Sequence, residues 1–267
     1  MDKLKIFCVT NEKLNHLEKL PLTLAGVGKK KFSRKYLNCL KGKNIQHKEK
    51  NYSELTFHYW FWKNKLKKFD QNTWIGFSQK RRFWIKKNKK INSYIDLKQN
   101  ILTKVPNSWR NYNSVICKPI IVENPKKIKL IKRGWKNIIK DPTIFFDKTK
   151  QNIELQFDMH HGYKILEKAI ECLDEKDRKL FEKFVKKETK FNPHIMFISK
   201  KKILNNFFQD QFEWLFECEK IFGFENLKGY DQTRLYAFLA ERYMPFWFRK
   251  YSKVIEWPWI FSDTHLL

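Results

Sequence analysis

Glycine and proline are scarce, at 8 residues each in a chain of 267. They mark no internal repeat and no low-complexity linker, so one large domain, or one domain with an insertion, is the expected organisation. Cysteine is sparse as well. Cys8, Cys39, Cys117, Cys172 and Cys218 stand far apart and form no Cys-x-x-Cys, a pattern that reads as reduced thiols in a cytosolic protein rather than a disulfide framework. No apolar run approaches the ~18 residues of a transmembrane helix. The apolar patch in the opening MDKLKIFCVTNEK is too short for a signal-peptide core. The expected location is therefore cytoplasmic, with peripheral contact at the inner face of an anionic plasma membrane left open.

Acidic residues are in deficit: 28 Asp and Glu face 56 Lys and Arg, a formal charge of +28. Arginine is itself rare, with nine residues, and lysine makes up the rest of the basic set. Lys, Asn, Ile and Phe share AT-rich codons, so much of the lysine excess reads as genomic composition. The arginines are the more informative cations, because a planar guanidinium grips phosphate in two places. They cluster only at Arg81-Arg82, and no RNP, helix-turn-helix or zinc-finger signature is present. A basic nucleic-acid-binding protein thus remains an alternative, with no specific nucleic acid expected. The hydrophobic content of 42% and aromatic content of 16% exclude wholesale disorder.

Lys5–Thr10 (KIFCVT), Thr73–Phe77 (TWIGF), Ser114–Cys117 (SVIC) and His194–Ile198 (HIMFI) read as short buried strands. Residues 11–50 read as a long irregular connection around Ala25-Gly26-Val27-Gly28, where an ordinary turn is favoured over a phosphate-binding loop. Asn51 to Glu54 has the form of a capping box. In the helix that follows, Leu55, Tyr59, Trp62 and Leu66 share one face. Residues 123–150 look like a basic loop, Ile153–Leu173 and Asp174 to about Lys187 like helices, and Ile203–Phe222 like a long amphipathic helix. Gln232–Trp247 is a last helix broken near Pro245, and Trp257-Pro258-Trp259 an aromatic flap. Strands alternating with helices predict an α/β sheet, in which ligands bind at the carboxyl ends of the strands.

Two arginines directly after a buried strand, in Ser78-Gln79-Lys80-Arg81-Arg82, suit a phosphate or carboxylate; a solvated basic turn is the competing reading. Asp158 and His161, three apart, can share a helix face as an acid/base unit or an acceptor-hydroxyl binder, or simply as a surface hydrogen bond. The adjacent His160 and His161 point about 100° apart and make no metal pair. Arg234 and Glu241 share a face of the closing helix, with Arg242 beside Glu241; an ion pair and a substrate contact both fit.

The segments KIFCVT, ELTFHYWFWKN, IGFSQKRRFW, LQFDMHHGYKIL, NPHIMFISKKKI with EWLFECEKIFG, and RLYAFLAERYMPFW follow one another along nearly the whole chain. Together they resemble a bacterial family of capsular and exopolysaccharide biosynthesis proteins, first described as a domain of unknown function and grouped with GT-A-type glycosyltransferases. Two positions depart from its pattern. Gln79-Lys80 replaces a His-Tyr before the arginine pair, and Ile195 replaces an Asn, although Asn192 lies nearby.

The resemblance implies a GT-A-like, Rossmann-related mixed sheet flanked by helices, with a mostly helical C-terminal half. It implies one domain over residues 1–267: a nucleotide-sugar-binding half (1–120), a basic loop or insertion (121–150) and a helical acceptor-side half (151–267). The implied activity is sugar transfer from a nucleotide-sugar donor to a glycan or lipid-linked acceptor; a catalytically degenerate scaffold of polysaccharide assembly is the other option. Most such enzymes carry an Asp-x-Asp for a divalent metal, and this chain has none. No cofactor is therefore expected, with a divalent metal left open, and Arg81 and Arg82 would stabilise the leaving diphosphate. Thr10, Glu54, Lys63, Gln79 and Lys80 would join them on the donor side. His160, His161, Asn192, His194, Arg234 and Arg242 would line the acceptor side, with Asp158 and Glu241 as candidate catalytic bases.

Overall fold

The structure is a computed structural model and describes residues 3–262. The chain divides into two compact units. Among the described residues, the first comprises 3–118, 194–210 and 248–262; the second comprises 119–193 and 211–247.

The first unit is built on a nine-stranded sheet. Its strands are β1 (Leu4–Thr10), β2 (Thr23–Gly26), β3 (Tyr36–Asn38), β4 (Trp74–Gln79), β5 (Arg82–Trp84), β6 (Ser114–Cys117), β7 (Phe197–Lys200), β8 (Val254–Trp257) and β9 (Trp259–Phe261). They lie in the order β8-β6-β7-β4-β1-β2-β3, and β5 joins β4 to β9 at the margin. β1 is parallel to both β2 and β4, and β7 runs antiparallel between β4 and β6. The central strands read as unbroken apolar runs because both faces are covered: all six residues of β4 are buried. On one face sits α1 (Leu55–Asn64), whose Phe57 and Phe61 rings meet Phe7 and Phe77 of the sheet.

Several local expectations change. Asn51 is not an N-cap: it belongs to a short helix, Glu49–Tyr52, and α1 begins at Leu55 after Ser53 takes a φ of 50°. The buried side of α1 includes Phe57, His58 and Phe61, whereas Tyr59 and Trp62 are half-exposed. A helix apolar all round gives no unique face by periodicity. Residues 11–50 are not wholly irregular, since they supply β2 and β3. The strand expected at His194–Ile198 starts at Phe197, because His194 is left-handed (φ 68°) and its backbone is not extended. The aromatic tail is strand rather than flap: β8 pairs with β6 and β9 with β5.

The second unit is helical: α2 (Lys127–Lys140), α3 (Ile153–His161), α4 (Ile165–Glu171) and α5 (Glu175–Lys187), with a two-residue ribbon of Ile120–Ile121 against Lys190–Phe191. The stretch expected as a basic loop thus carries α2. The helix expected over Ile153–Leu173 is broken at Gly162, which takes a φ of 122° and where a Cβ would strike Ile165. Asp174 caps α5 as the sequence suggests, accepting from the amide of Asp177 at 2.9 Å. Two long helices, α6 (Lys201–Phe222) and α7 (Leu235–Tyr251), contribute residues to both units. α7 contains Pro245 without ending there.

Candidate functional site

The chain leaves β1 outward to β2 and β3, then returns on the other side of β1 as β4. The carboxyl ends of β1 and β4 are therefore a topological switch point, where open parallel sheets leave a crevice for ligands. Thr10 and Gln79 stand at these two ends. Thr10 is buried and ties down the following turn: its hydroxyl donates to the Glu12 carbonyl at 2.7 Å and accepts from the Glu12 amide at 3.0 Å.

A cleft of about 1000 Å³ opens beside them, at the ends of β1, β2 and β3. Its lining includes Asn11, Gly28, Lys29, Lys30, Lys31 and Glu49. Gly28 has a φ of 84°, and a Cβ there would press on the Glu49 carboxylate at 3.3 Å. The Gln46 side chain holds this turn by donating to the Gly28 carbonyl at 2.8 Å. Cations dominate the rim. The Glu12 carboxyl is held below its ordinary range by its hydrogen bond to Lys80 first and by the Lys80 charge second, with Lys30 and Arg81 adding to the effect. Lys80 reaches Glu12 at 3.0 Å and donates to the Asn11 side chain at 2.9 Å. Lys30, Lys80 and Arg81 thus share one neighbourhood at the switch point.

Lys80 and Arg81 form the tip of a hairpin, because Gln79 of β4 pairs directly with Arg82 of β5. The basic segment therefore folds straight back rather than leaving the sheet. Gln79 orients its strand partner, since its side-chain oxygen accepts from Arg82 at 3.0 Å. The Arg81 and Arg82 guanidiniums lie over the Phe261 ring at 4.7 and 5.5 Å, and the Arg81 carbonyl accepts from the Ser262 amide at 2.9 Å. Glu54 stands at the start of α1. Lys63 lies at the opposite end of that helix, roughly 13 Å away along the axis, with its ammonium over the Trp62 ring at 3.2 Å. The His194 ring meets Trp259 edge-on at 4.5 Å.

The other anticipated residues belong to the second unit. Asp158 and His161 do not form a dyad. The Asp158 carboxylate accepts from Asn137 at 2.8 Å and from the Lys164 amide at 3.0 Å, bracing the break at Gly162, and burial raises its pKa. His161 Nδ1 lies 2.9 Å from the Asp231 carbonyl, which can only accept, so Nδ1 carries the proton. Its ring stacks on Phe238 at 3.9 Å, and burial pushes its pKa down to about 3, with the Arg242 charge adding. His160 is lowered too, by burial and then by Arg133. Glu241 forms an ion pair with Arg242. The fully buried Arg242 also donates to Gln156 at 2.7 Å and lies 4.2 Å over the Phe191 ring. Arg234 donates to the Tyr230 hydroxyl at 2.7 Å. Asn192 is fully buried.

Sequence reasoning misses Asn11, Glu12, Gln46, Glu49 and the lysines after Gly28. A signal for them exists in Ala25-Gly26-Val27-Gly28-Lys29-Lys30-Lys31, a glycine turn running into three cations. It reads as an ordinary turn unless β2 is recognised before it. Beside the cations and amides, the neighbourhood holds the carboxylates of Glu49, in the cleft lining, and of Glu12, which Lys80 engages at 3.0 Å. Among the described residues, no three His, Cys, Asp or Glu side chains converge as metal ligands.

The mixed sheet with its flanking helices is a GT-A-like α/β fold. A solved structure titled as the apo form of the bifunctional glycosyltransferase WbbM superposes with a TM-score of 0.73 at 17% identity. That match covers 98% of this chain and 46% of the WbbM chain, so the protein spans about half the length of its structural relative. The chain belongs to the family described as Domain of unknown function (DUF4422), whose model matches residues 5–252. No curated protein matches it. Among the described residues, no helix is long and apolar enough to cross a membrane.

Proposed function

We propose that the protein transfers a sugar from a nucleotide-sugar donor to a glycan or lipid-linked acceptor in surface polysaccharide biosynthesis, without a metal ion. The observation that carries this reading is the lysine-lined cleft at the ends of β1, β2 and β3, beside the switch point, where Lys80 pairs with Glu12 and the charges of Lys30 and Arg81 also act on that carboxylate. A nucleoside diphosphate suits such a cleft in size and in charge, and its negative charge grows as the glycosidic bond breaks. Cations fixed at the strand ends stabilise that charge without the reorganisation that water would need. Gln79, standing where the pattern of the resembled family has a His, orients Arg82 rather than moving a proton. The likeness to a protein titled as a glycosyltransferase supports the same reading.

The test is a thermal-shift screen against a sugar-nucleotide panel, followed by turnover assays in excess chelator. A donor at 100 times its dissociation constant raises stability by ~2.7 kcal/mol. The expected result is a shift with one class of donor and turnover that survives chelation. No shift with any donor would refute the transferase reading; activity lost in chelator and restored by manganese would refute its metal-free form.

A further inference from the structure

The helix α2 (Lys127–Lys140) carries a surface that the transferase reading does not use. Ile128, Ile131, Trp135 and Ile139 recur at i, i+3, i+7 and i+11, so they form one stripe. All four are exposed, at 68%, 53%, 51% and 72%. The opposite side is pinned: Leu130 packs with Ile144, Leu155 and Met159, and Gly134 lets Met159 approach so closely that a Cβ would meet its Cγ at 3.3 Å. The stripe therefore cannot turn inward without unpacking that cluster.

The charge on α2 is one-sided. It holds Lys127, Lys129, Lys132, Arg133, Lys136 and Lys140 and no acidic residue. Arg133 is directed to Asp231. At 100° per residue, Lys132 and Lys136 fall on one side of the apolar stripe, between it and Lys129, Arg133 and Lys140, while Lys127 borders its other side. Helices that lie in a bilayer interface have this arrangement: an aliphatic stripe with a tryptophan at headgroup depth, bordered by lysines that meet lipid phosphates. Nucleic acid would reward the lysines but leave three isoleucines in water. A protein groove would reward the isoleucines and need its own acidic border.

We propose that the exposed face of α2 is a membrane-docking surface that lays Ile128, Ile131, Trp135 and Ile139 into the headgroup region of an anionic phospholipid bilayer. The helix is roughly 21 Å long, so it lies along the surface and does not cross it. This inference is independent of the transferase reading, since no cleft residue takes part.

The experiment is co-sedimentation of the full chain with phosphatidylcholine vesicles, with and without phosphatidylglycerol, across a salt series. Two variants are compared with the parent: the double substitution Ile131→Asp with Trp135→Asp, and the double substitution Lys132→Glu with Lys136→Glu. All four positions are exposed, and the melting temperature checks that each variant folds. Binding is expected only with phosphatidylglycerol, weakened by salt, and reduced about tenfold or more in each variant at an unchanged melting temperature. Equal binding to neutral vesicles, no binding, or binding unaltered in the folded variants would overturn the proposal. So would concentration-dependent self-association lost on Ile131→Asp, or duplex oligonucleotide binding that outcompetes the vesicles. Donor-induced thermal shifts should be the same in parent and variants, which separates this outcome from the fate of the transferase reading.

Discussion

Replacing His58 with leucine tests how the core of the first unit is made. His58 is fully buried in α1, with its ring 4.3 Å from Phe77 and close to Phe197 and Phe208. Neither ring nitrogen has a hydrogen-bond partner among the described residues. Burial alone pushes its pKa from 6.5 down to about 3. At pH 7 the ring is neutral in the folded chain and mostly neutral in the unfolded one, so the charge penalty there is only about 0.2 kcal/mol. Below pH 6.5 the unfolded chain takes up a proton that the folded chain refuses until about pH 3, so stability falls as pH falls through that window. By pH 5 the linked loss is roughly 2 kcal/mol for this one group. Leucine has no such proton to take up. It also removes two unsatisfied polar atoms, whose desolvation costs about 1–3 kcal/mol, offset in part by imperfect fit. Urea unfolding of the parent and His58→Leu at pH 7 and pH 5 gives the answer. The variant should be at least as stable at pH 7 and should lose about 2 kcal/mol less on acidification. Equal losses in the two proteins would mean that His58 is hydrated or paired in solution, and the reasoning would fail.

Three further outcomes follow from the same structure. Lys80→Met should weaken nucleoside-diphosphate binding by about ten- to hundredfold in calorimetry, because a charge-assisted contact to phosphate is worth roughly 1.5–3 kcal/mol; unchanged affinity would place the diphosphate elsewhere. Arg242→Met should cost about 3 kcal/mol in denaturant unfolding, since Glu241 would keep its charge without its buried partner; a change below about 1 kcal/mol would show that the pair is solvated. Asp158→Asn should leave turnover within about tenfold of the parent, because both carboxylate oxygens already brace the Gly162 break. A loss of about a hundredfold or more would instead mark Asp158 as the general base.

Local signals are legible wherever one residue type or a short run decides the conformation. KIFCVT, TWIGF and SVIC are buried strands because continuous apolar runs suit strands covered on both faces. Asp174 is a cap because its side chain satisfies an amide three residues on. The α/β class, the two-arginine segment after a strand and the order of the six motifs can all be read directly. The rest depends on partners distant in sequence. β2 and β3 are only four and three residues long, too short to show a period, and become strands because β1 offers an edge to β2 and β2 in turn offers one to β3. The Asp158–His161 pair does not form because helical spacing says which side chains can share a face, not which competing acceptor is nearer; the carbonyl of Asp231, seventy residues on, accepts the His161 proton.

By itself, the sequence determined an α/β protein with a buried aromatic core, a dispersed positive charge and a pair of arginines at one strand end. Those properties follow from composition and from spacing within single elements. Only the tertiary structure decided that Lys80 and Arg81 cap a hairpin beside Glu12 and the lysines after Gly28, and that α2 keeps an isoleucine and tryptophan stripe in solvent. Both outcomes rest on strand order and helix packing, which join residues far apart in the chain, and no local pattern encodes which of them meet.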